Sequence, residues 1–411
     1  MQRSQKSILN ITSSILLTFC NGLLNLVMTN FILQKFGSDF NGVNSTASQL
    51  ITVISLFEGG FTIATNVSLF KPYAQKDFKS VNAILYTANR TFKKIGILAT
   101  IFGVFSSIVY GLIIKSNLND SLIISIFIMT ILPSCYNFYF TTKYRIILQA
   151  EQKEYIITFF TLATSSLGYI LNIIFLNIGC YMWNVRFITM CTSLLNNFCI
   201  MCFVKYKYKQ FSFIPNGLNI SIPGTKDVLI QKITGVLYSF APIFFISISS
   251  GGTLLASVYS IYNRIFSLLK TFLHAISDGP RLSLGDIASS ENQEKTWYVF
   301  QKYELTNIFF LVIVLSTASV LILPFIEIYT KNIQDANYIQ PNIALLLVLI
   351  TYFELLHSPS GQLINMTGKF KLSKLFQLYA FFLLVILSCI SFFLNVGLYG
   401  ILISVFLTAL L

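Results

Sequence analysis

Apolar stretches follow one another along the chain, separated by short polar segments. Most are about 20 residues or longer, enough for an α-helix to cross ~30 Å of hydrocarbon. They lack the alternation of a barrel strand, which leaves helices to satisfy the backbone in lipid. The pattern predicts an all-α polytopic membrane protein with twelve spans, the last one short. The spans are 8–34, 43–70, 95–114, 122–142, 155–176, 185–204, 228–249, 253–280, 304–325, 341–359, 375–394 and 397–411.

Composition agrees with this prediction. Of 411 residues, 55% are hydrophobic and 10% are charged, and the mean hydropathy is +0.72. A soluble domain carries about 25% charged residues. The chain therefore has no room for a soluble catalytic domain.

The positions of lysine and arginine predict the orientation. With a cytoplasmic N-terminus, most of the 28 Lys and Arg residues, Arg145 among them, fall in cytoplasmic segments, as is usual for membrane proteins. Those left outside are Lys35, Lys115, Arg186 and Lys331. Basic loops facing anionic membrane lipids explain the net charge of +13, so no nucleic-acid partner is expected.

A polar segment near the middle of the chain predicts two halves. We expect an N-terminal six-helix lobe at 1–210, a cytoplasmic linker at 211–227 and a C-terminal six-helix lobe at 228–411. A faint internal repeat at a constant offset supports this division, because Gln49 aligns with Asn263 and Lys76-Asp77 aligns with Ser290-Glu291. Such halves would be parallel repeats around a central cleft.

The predicted eighth span carries a polar stripe along one side. Its central residue, Arg264, falls near mid-membrane, where an arginine without a partner costs at least about 2.5–3.5 kcal/mol. The stripe therefore predicts the wall of a polar cavity, although a helix lying in the membrane interface is an alternative. The stripe consists of Ser260, Asn263, Arg264, Ser267, Lys270, Thr271, His274, Asp278 and Arg281.

Polar stripes also mark the first and second spans. Asn21 and Asn25 lie on one side of the first span, and Gln49 lies among hydroxyl residues on the second. Small and hydroxyl residues also form tight helix–helix seams in membranes, so packing is the alternative. Taken with the charged stripe, they favour a hydrophilic cleft with its positive charge mostly on the C-terminal half.

Three further ionisable residues fall within spans and are candidates for ion or proton coupling. Glu58 either lines the cleft or pairs with a cation on a neighbouring helix. Glu354 and His357 lie three residues apart on one helix face, where such a pair could exchange a proton or simply pack together.

Motifs for other chemistry are missing from the sequence. It contains no G-x-x-x-x-G-K-[ST], H-E-x-x-H or G-x-S-x-G, which are the signatures of nucleotide binding, zinc proteolysis and serine hydrolysis. Cys199 and Cys202 form a C-x-x-C without a second pair nearby, so small apolar packing is the favoured interpretation. We expect no cofactor, no metal and no enzymatic site.

Several loose motifs resemble those of the Wzx-type polysaccharide and O-antigen flippases. This family belongs to the multidrug/oligosaccharidyl-lipid/polysaccharide (MOP) exporter superfamily. The resemblance covers nearly the whole chain and is carried by Glu58-Gly59-Gly60, Ser68-Leu69-Phe70-Lys71-Pro72-Tyr73-Ala74, Lys76-Asp77, Val258-Tyr259, Ser283-Leu284-Gly285-Asp286, Pro324-Phe325-Ile326 and Tyr338-Ile339-Gln340-Pro341.

The resemblance implies two six-helix lobes that work by alternating access. It also implies a bacterial inner-membrane flippase, often ion-coupled, for undecaprenyl-pyrophosphate-linked oligosaccharides. The implied partners are this lipid-linked substrate, membrane lipids, and polysaccharide polymerase and chain-length proteins. Arg264, Lys270 and Arg281 would then meet phosphate, while polar side chains of the first two spans would meet sugar hydroxyls.

Two other functions remain open from the sequence. A membrane O-antigen polymerase or lipid-sugar glycosyltransferase would use the same substrate, but such enzymes display a large outer loop and the longest one here is short. A multidrug exporter of the same superfamily differs only in its substrate.

Overall fold

The computed structural model describes residues 3–75, 77–151, 153–208, 226–288, 293–366 and 370–410. Regular structure in these residues is entirely helical, which confirms the all-α prediction. A 3₁₀ turn at Ser55–Phe57 and a π segment at Asn137–Thr141 join some of the helices. The α-helices are α1 (Arg3–Ile54), α2 (Gly59–Ala74), α3 (Phe78–Ile113), α4 (Asp120–Tyr136), α5 (Thr142–Ala150), α6 (Glu154–Ile178), α7 (Met182–Lys207), α8 (Lys226–Ile248), α9 (Gly252–Ala288), α10 (Gln293–Tyr329), α11 (Pro341–Leu356), α12 (Ser358–Met366), α13 (Phe370–Phe393) and α14 (Gly397–Ala409).

Each predicted span falls on helical structure. Eight helical stretches of the described residues are long and apolar enough to cross a membrane, and two shorter apolar helices lie at Ile233–Ile248 and Gly397–Ala409. The predicted second span comprises the end of α1 together with α2, and the predicted tenth span comprises α11 and the start of α12. Large apolar side chains such as Ile101, Phe105 and Leu112 are exposed, as expected of a surface that faces lipid.

A kink at Gly37 separates the first predicted span from the second. Gly37 has φ 82° and ψ 179° inside α1, a backbone conformation that L side chains rarely adopt. A Cβ at this position would also lie 2.8 Å from the Asp335 carboxylate. Glycine thus allows one long helix to change direction.

The helices form two compact units. Unit 1 comprises residues 1–35, 47–113 and 118–232, and unit 2 comprises residues 36–46, 114–117 and 233–411. In unit 1, α3, α5 and α7 pack around a core that includes Leu85, Phe92, Ile146 and Ile200. In unit 2, α9, α10, α11 and α14 pack against one another.

Two short segments of the first half of the chain belong to unit 2, although the predicted lobe at 1–210 contained them. Their backbone contacts explain this grouping. The Lys115 N–H donates to the Ser247 carbonyl at 3.3 Å, and the Thr253 N–H donates to the Lys115 carbonyl at 3.0 Å. Gly42 packs directly against the backbone of Thr253. Most of the predicted linker, 211–225, lies outside the described residues.

Candidate functional site

Unit 1 contains a polar cavity of about 270 Å³. Its walls come mainly from α4, the π segment, α5 and α7. Among the described residues that line it are two arginines, Arg145 and Arg186, and no carboxylate. The other polar lining residues are Thr130, Ser134, Asn137, Thr189, Ser193, Asn196 and Asn197.

A proline shapes the wall that carries Arg145. Pro133 lies in the last turn of α4, where its missing N–H and its ring disturb the helical hydrogen bonds. The wider π segment at Asn137–Thr141 follows at once. Its extra residue rotates the following positions by about 100° relative to a continuous α-helix. This rotation sets the face of α5 from which Arg145 projects.

Asn197 of α7 holds the disturbed helix and the arginine together. Its Nδ2 donates to the Pro133 carbonyl at 3.2 Å, and its Oδ1 accepts a hydrogen bond from Arg145 Nη2 at 3.3 Å. The charge of Glu58 acts on Arg145 as well. The carboxylate of Glu58 itself accepts a hydrogen bond from the Thr62 hydroxyl at 2.9 Å.

Arg186 lies in the second turn of α7, with 7% of its surface exposed. Its Nη2 donates to the Ser48 hydroxyl at 2.6 Å. The sequence counts Arg186 among the residues of an outer segment, and the structure places it inside a helix with its side chain buried. The helix begins at Met182, so the side chain points into the protein from within the helix.

The polar lining of α7 follows one helix face. Arg186, Thr189, Ser193, Asn196 and Asn197 recur at spacings of three and four residues, which places them in one stripe. From the first to the last of them the stripe runs about 16 Å along the helix axis. This stripe and Arg145 are the site residues that sequence reasoning missed, although the spacing on α7 was a usable signal.

Several buried polar atoms at this cavity lack hydrogen-bond partners among the described residues. They include Asn137 Oδ1, Arg145 Nε and Asn196 Oδ1. Buried polar groups and charges are costly unless they are paired. Two guanidinium groups with amide and hydroxyl neighbours provide donors suited to an anion, with further groups for sugar-like hydroxyls.

Arg264, the centre of the predicted stripe on α9, lies in unit 2 and is half-buried. Its Nη2 donates to the Ser45 hydroxyl at 3.0 Å. Ser45 in turn donates to Ser260 at 3.2 Å. Arg264 thus lies within a hydroxyl network.

Lys270 forms an ion pair with Glu354 of α11. From the sequence, Lys270 is expected to meet phosphate and Glu354 to act together with His357. His357 is exposed at the end of α11. The structure therefore pairs a residue expected to bind phosphate, Lys270, with a residue expected to exchange a proton, Glu354.

The remaining candidates are dispersed. Asn21 accepts a hydrogen bond from Ser165 at 2.7 Å, and Asn25 is exposed and accepts from Thr29. Gln49 and Asn263 are half-buried, and His274 is exposed. The side chains of Asp278 and Arg281 lie outside the described part of the structure.

A helical membrane protein with a polar cavity lined by two arginines suggests comparison with transporters. No protein-family model and no curated protein matches the chain. Solved structures do match it, and they show that the chain has the fold of MOP-superfamily transporters.

Three of the similar structures illustrate this fold. An inward-facing multidrug resistance MATE family transporter matches with a TM-score of 0.76 and 15% identity, covering 95% of this chain and 92% of that one. The lipid II flippase MurJ, in an inward closed conformation, matches with a TM-score of 0.72 and 17% identity. The match covers 97% of this chain and 85% of the MurJ chain. A MOP superfamily transporter from Pyrococcus furiosus matches with a TM-score of 0.52 and 13% identity. The match covers 99% of this chain and 91% of the other.

Proposed function

We propose that this protein is a flippase that moves an undecaprenyl-pyrophosphate-linked oligosaccharide across the bacterial inner membrane, from the cytoplasmic to the periplasmic leaflet. The observation that carries the proposal is the cavity of unit 1, whose described lining contains Arg145 and Arg186 and no carboxylate. The likeness to the fold of the lipid II flippase MurJ and the resemblance of the sequence motifs support it.

The chemistry of the cavity suits a diphosphate headgroup. Guanidinium groups form charge-assisted, often bidentate hydrogen bonds to phosphate oxygens, and these are among the stronger hydrogen bonds in proteins. The amides and hydroxyls on α7 can exchange hydrogen bonds with sugar hydroxyls. A volume of about 270 Å³ is just below the usual range of ligand pockets, which starts at about 300 Å³. It therefore suits the headgroup and one adjoining sugar, while the lipid tail stays in the bilayer.

The wider mechanism belongs to the same proposal. The N-terminus would be cytoplasmic, and transport would proceed by alternating access with ion coupling. Polysaccharide polymerase and chain-length proteins would use the delivered product. Arg264 of unit 2 would contribute a third positive charge to recognition of the headgroup.

A multidrug exporter is the second candidate, because a MATE family transporter matches with the TM-score of 0.76. The charge of the cavity disfavours the export of organic cations. Buried Arg186 and half-buried Arg145 repel a cation, and repulsion between like charges grows as water is excluded.

The test is transbilayer movement in vesicles that contain the full-length protein. The substrate is an undecaprenyl-diphosphate oligosaccharide, and its sugar is detected by a reagent that cannot cross the membrane. Arg145→Gln and Arg186→Gln should each slow movement about tenfold or more, since each removes a charge-assisted contact. Arg90→Gln, which removes an exposed arginine of α3, is the matched control and should leave the rate unchanged.

The same vesicles distinguish the two candidates. Transport of organic cations without movement of the lipid-linked sugar would favour the exporter and contradict the flippase. Wild-type rates in both cavity variants would remove the cavity from the mechanism.

A further inference from the structure

Three lysines from three helices of unit 1 lie close together. They are Lys93 of α3, Lys143 of α5 and Lys205 of α7. Lys143 is half-buried, and the positive charges of Lys93 and Lys205 both act on it. Like charges held at short range repel one another, and an anion bound among them replaces this repulsion by attraction. This trilysine cluster is therefore suited to a negatively charged ligand.

The ring of Tyr144 forms a platform for two of the lysines. Lys143 Nζ lies 5.3 Å from the ring centroid, and Lys205 Nζ lies 6.0 Å from it. At such distances an ammonium group is attracted to an aromatic face. Tyr144 is buried and belongs to the hydrophobic core of unit 1. Packing therefore fixes the platform, and α5 and α7 present their lysines at one place.

Helix α3 runs antiparallel to the segment that leads to Lys143. A Cβ at Gly111 would lie 2.6 Å from the Ile124 side chain, and a Cβ at Gly103 would lie 2.8 Å from the Ile131 side chain. The number of the facing residue on α4 thus rises as the number along α3 falls. These contacts fix the register between the two helices.

The same register brings Lys93 beside Lys143. A Cβ at Gly96 would lie 3.1 Å from two ring carbons of Tyr139, which belongs to the π segment. Lys93 lies one turn before Gly96, and Lys143 lies one turn after Tyr139. Because the two segments are antiparallel, both lysines lie on the same side of this contact.

The trilysine cluster lies where the apolar surface of the helices ends. Each lysine comes just before or just after a predicted span, and the three spans are 95–114, 122–142 and 185–204. Each lysine also has an exposed apolar neighbour within that span, and these neighbours are Ile97, Phe140 and Phe198. The charges therefore adjoin a surface suited to hydrocarbon.

An anionic phospholipid combines the two properties that this surface requires. Its phosphate carries the charge that ammonium groups attract, and its acyl chains cover apolar side chains. A lysine stem can follow an apolar surface while its ammonium group stays at the level of the headgroups. A soluble phosphate ion would meet the lysines but leave the apolar surface uncovered.

We propose that the trilysine cluster binds the headgroup of an anionic phospholipid whose acyl chains lie against the exposed apolar side chains of α3 and α7. The phosphate accepts hydrogen bonds from the ammonium groups and offsets the repulsion among them. None of the three lysines is among the described residues that line the arginine cavity. The lipid site is thus distinct from the site of the proposed function and does not depend on it.

The experiment measures lipid binding by native mass spectrometry of the full-length protein in detergent. Phosphatidylglycerol is the anionic probe, and phosphatidylcholine with the same acyl chains is the probe without net charge. Wild type should bind phosphatidylglycerol at least about tenfold more tightly than phosphatidylcholine. Lys93→Gln, Lys143→Gln and Lys205→Gln in one protein should remove most of this difference.

Two further variants keep the test decisive. Lys79→Gln, Lys302→Gln and Lys371→Gln in one protein remove the same charge from exposed positions outside the cluster, and this control should bind phosphatidylglycerol as wild type does. Lys93→Gln combined with Lys205→Gln changes only the two exposed members of the cluster. It replaces the triple variant if that protein does not fold, and it should weaken phosphatidylglycerol binding several-fold.

Four results would overturn the inference. The first is equal binding of the two lipids by wild type, and the second is wild-type affinity for phosphatidylglycerol in both cluster variants. The third is an equal loss of affinity in the control, which would show attraction to net charge alone. The fourth is displacement of the bound lipid by inorganic phosphate at the same concentration, which would assign the cluster to a soluble anion.

Discussion

Arg145 donates a hydrogen bond from Nη2 to the side-chain oxygen of Asn197 at 3.3 Å. The nitrogen of the same amide donates to the Pro133 carbonyl at 3.2 Å. One side chain therefore holds both a cavity cation and the irregular backbone that positions it. Asn197 is 4% exposed, so water cannot readily replace it.

Replacing this amide should damage both stability and transport. Asn197→Leu removes a donor and an acceptor, so the half-buried Pro133 carbonyl and Arg145 guanidinium each lose a hydrogen-bond partner. We expect a destabilisation of about 1–3 kcal/mol and slower movement of the lipid-linked sugar. Thermal unfolding in nanodiscs and the vesicle assay measure these effects.

The control for Asn197 lies on the same helix. Leu195 is 40% exposed, and Leu195→Ala should change neither property appreciably. An Asn197→Leu protein with wild-type stability and rate would show that the amide does not support Arg145.

Arg264 should matter through its charge more than through its contact with Ser45. Arg264→Ala removes the cation, whereas Ser45→Ala removes the hydroxyl that accepts at 3.0 Å and keeps the charge. We expect Arg264→Ala to abolish sugar movement at normal surface expression and Ser45→Ala to reduce it only modestly. Intact transport in Arg264→Ala would end its assignment to the headgroup path.

Gly42 should not accept any side chain. A Cβ there would lie 1.8 Å from the Thr253 carbonyl oxygen and 2.6 Å from its carbon, and backbone cannot move aside as a flexible side chain can. Overpacking typically costs about 1–3 kcal/mol and sometimes more. Gly42→Ala should therefore lower the unfolding temperature clearly.

Gly235 provides the comparison for Gly42. A Cβ at Gly235 meets no atom within 4 Å, and alanine is the better helix former. Gly235→Ala should leave the unfolding temperature unchanged or raise it. Equal effects of the two substitutions would contradict the close approach at Gly42.

A cluster at the ends of α5 and α7 should confer pH-dependent stability. Glu151 accepts hydrogen bonds from Tyr73, Lys153 and Tyr208. Burial tends to raise the pKa of Glu151, but these bonds outweigh it and hold the pKa below its ordinary 4.5. Burial likewise tends to lower the pKa of Lys153, but Glu151 and Tyr208 outweigh it and raise the pKa above 10.5.

The signs of these two shifts define a pH window. The contribution of Glu151 is present above its unfolded pKa and is lost as pH falls through the lower folded value. The contribution of Lys153 is present below its unfolded pKa and is lost as pH rises through the higher folded value. Between about pH 5 and pH 10, Glu151→Gln should be less stable than wild type by a constant amount, and the difference should shrink below pH 4. Thermal unfolding against pH measures this, and a difference that grows in acid would contradict it.

Much of the fold follows from the order of residues. Apolar length, sparse charge and the missing alternation require membrane-spanning helices, because a bilayer offers the backbone no other hydrogen-bond partners. The sequence therefore predicts helical structure at each of the twelve positions, but α3 and α10 begin 17 and 11 residues before the predicted spans 95–114 and 304–325. The π segment after Pro133 could not be predicted, because one added residue in a helix leaves the hydrophobic pattern almost unchanged.

The candidate site was only partly predictable. The sequence marked Arg264, Lys270 and Glu354 as costly residues within spans, since burial of any charge in hydrocarbon needs a partner. It did not show which partner each would have. Arg145 and Arg186 lie near span ends, where basic residues ordinarily meet water and lipid headgroups, so the count of charges placed them outside the membrane.

The sequence by itself determined that this chain is a helical membrane protein with polar faces that must be covered. Only the tertiary structure decided that Arg145 and Arg186 share one cavity and that Lys270 pairs with Glu354. The physical reason is that periodicity specifies the direction of a side chain around its own helix. The neighbouring helix that meets it depends on packing among residues distant in the chain.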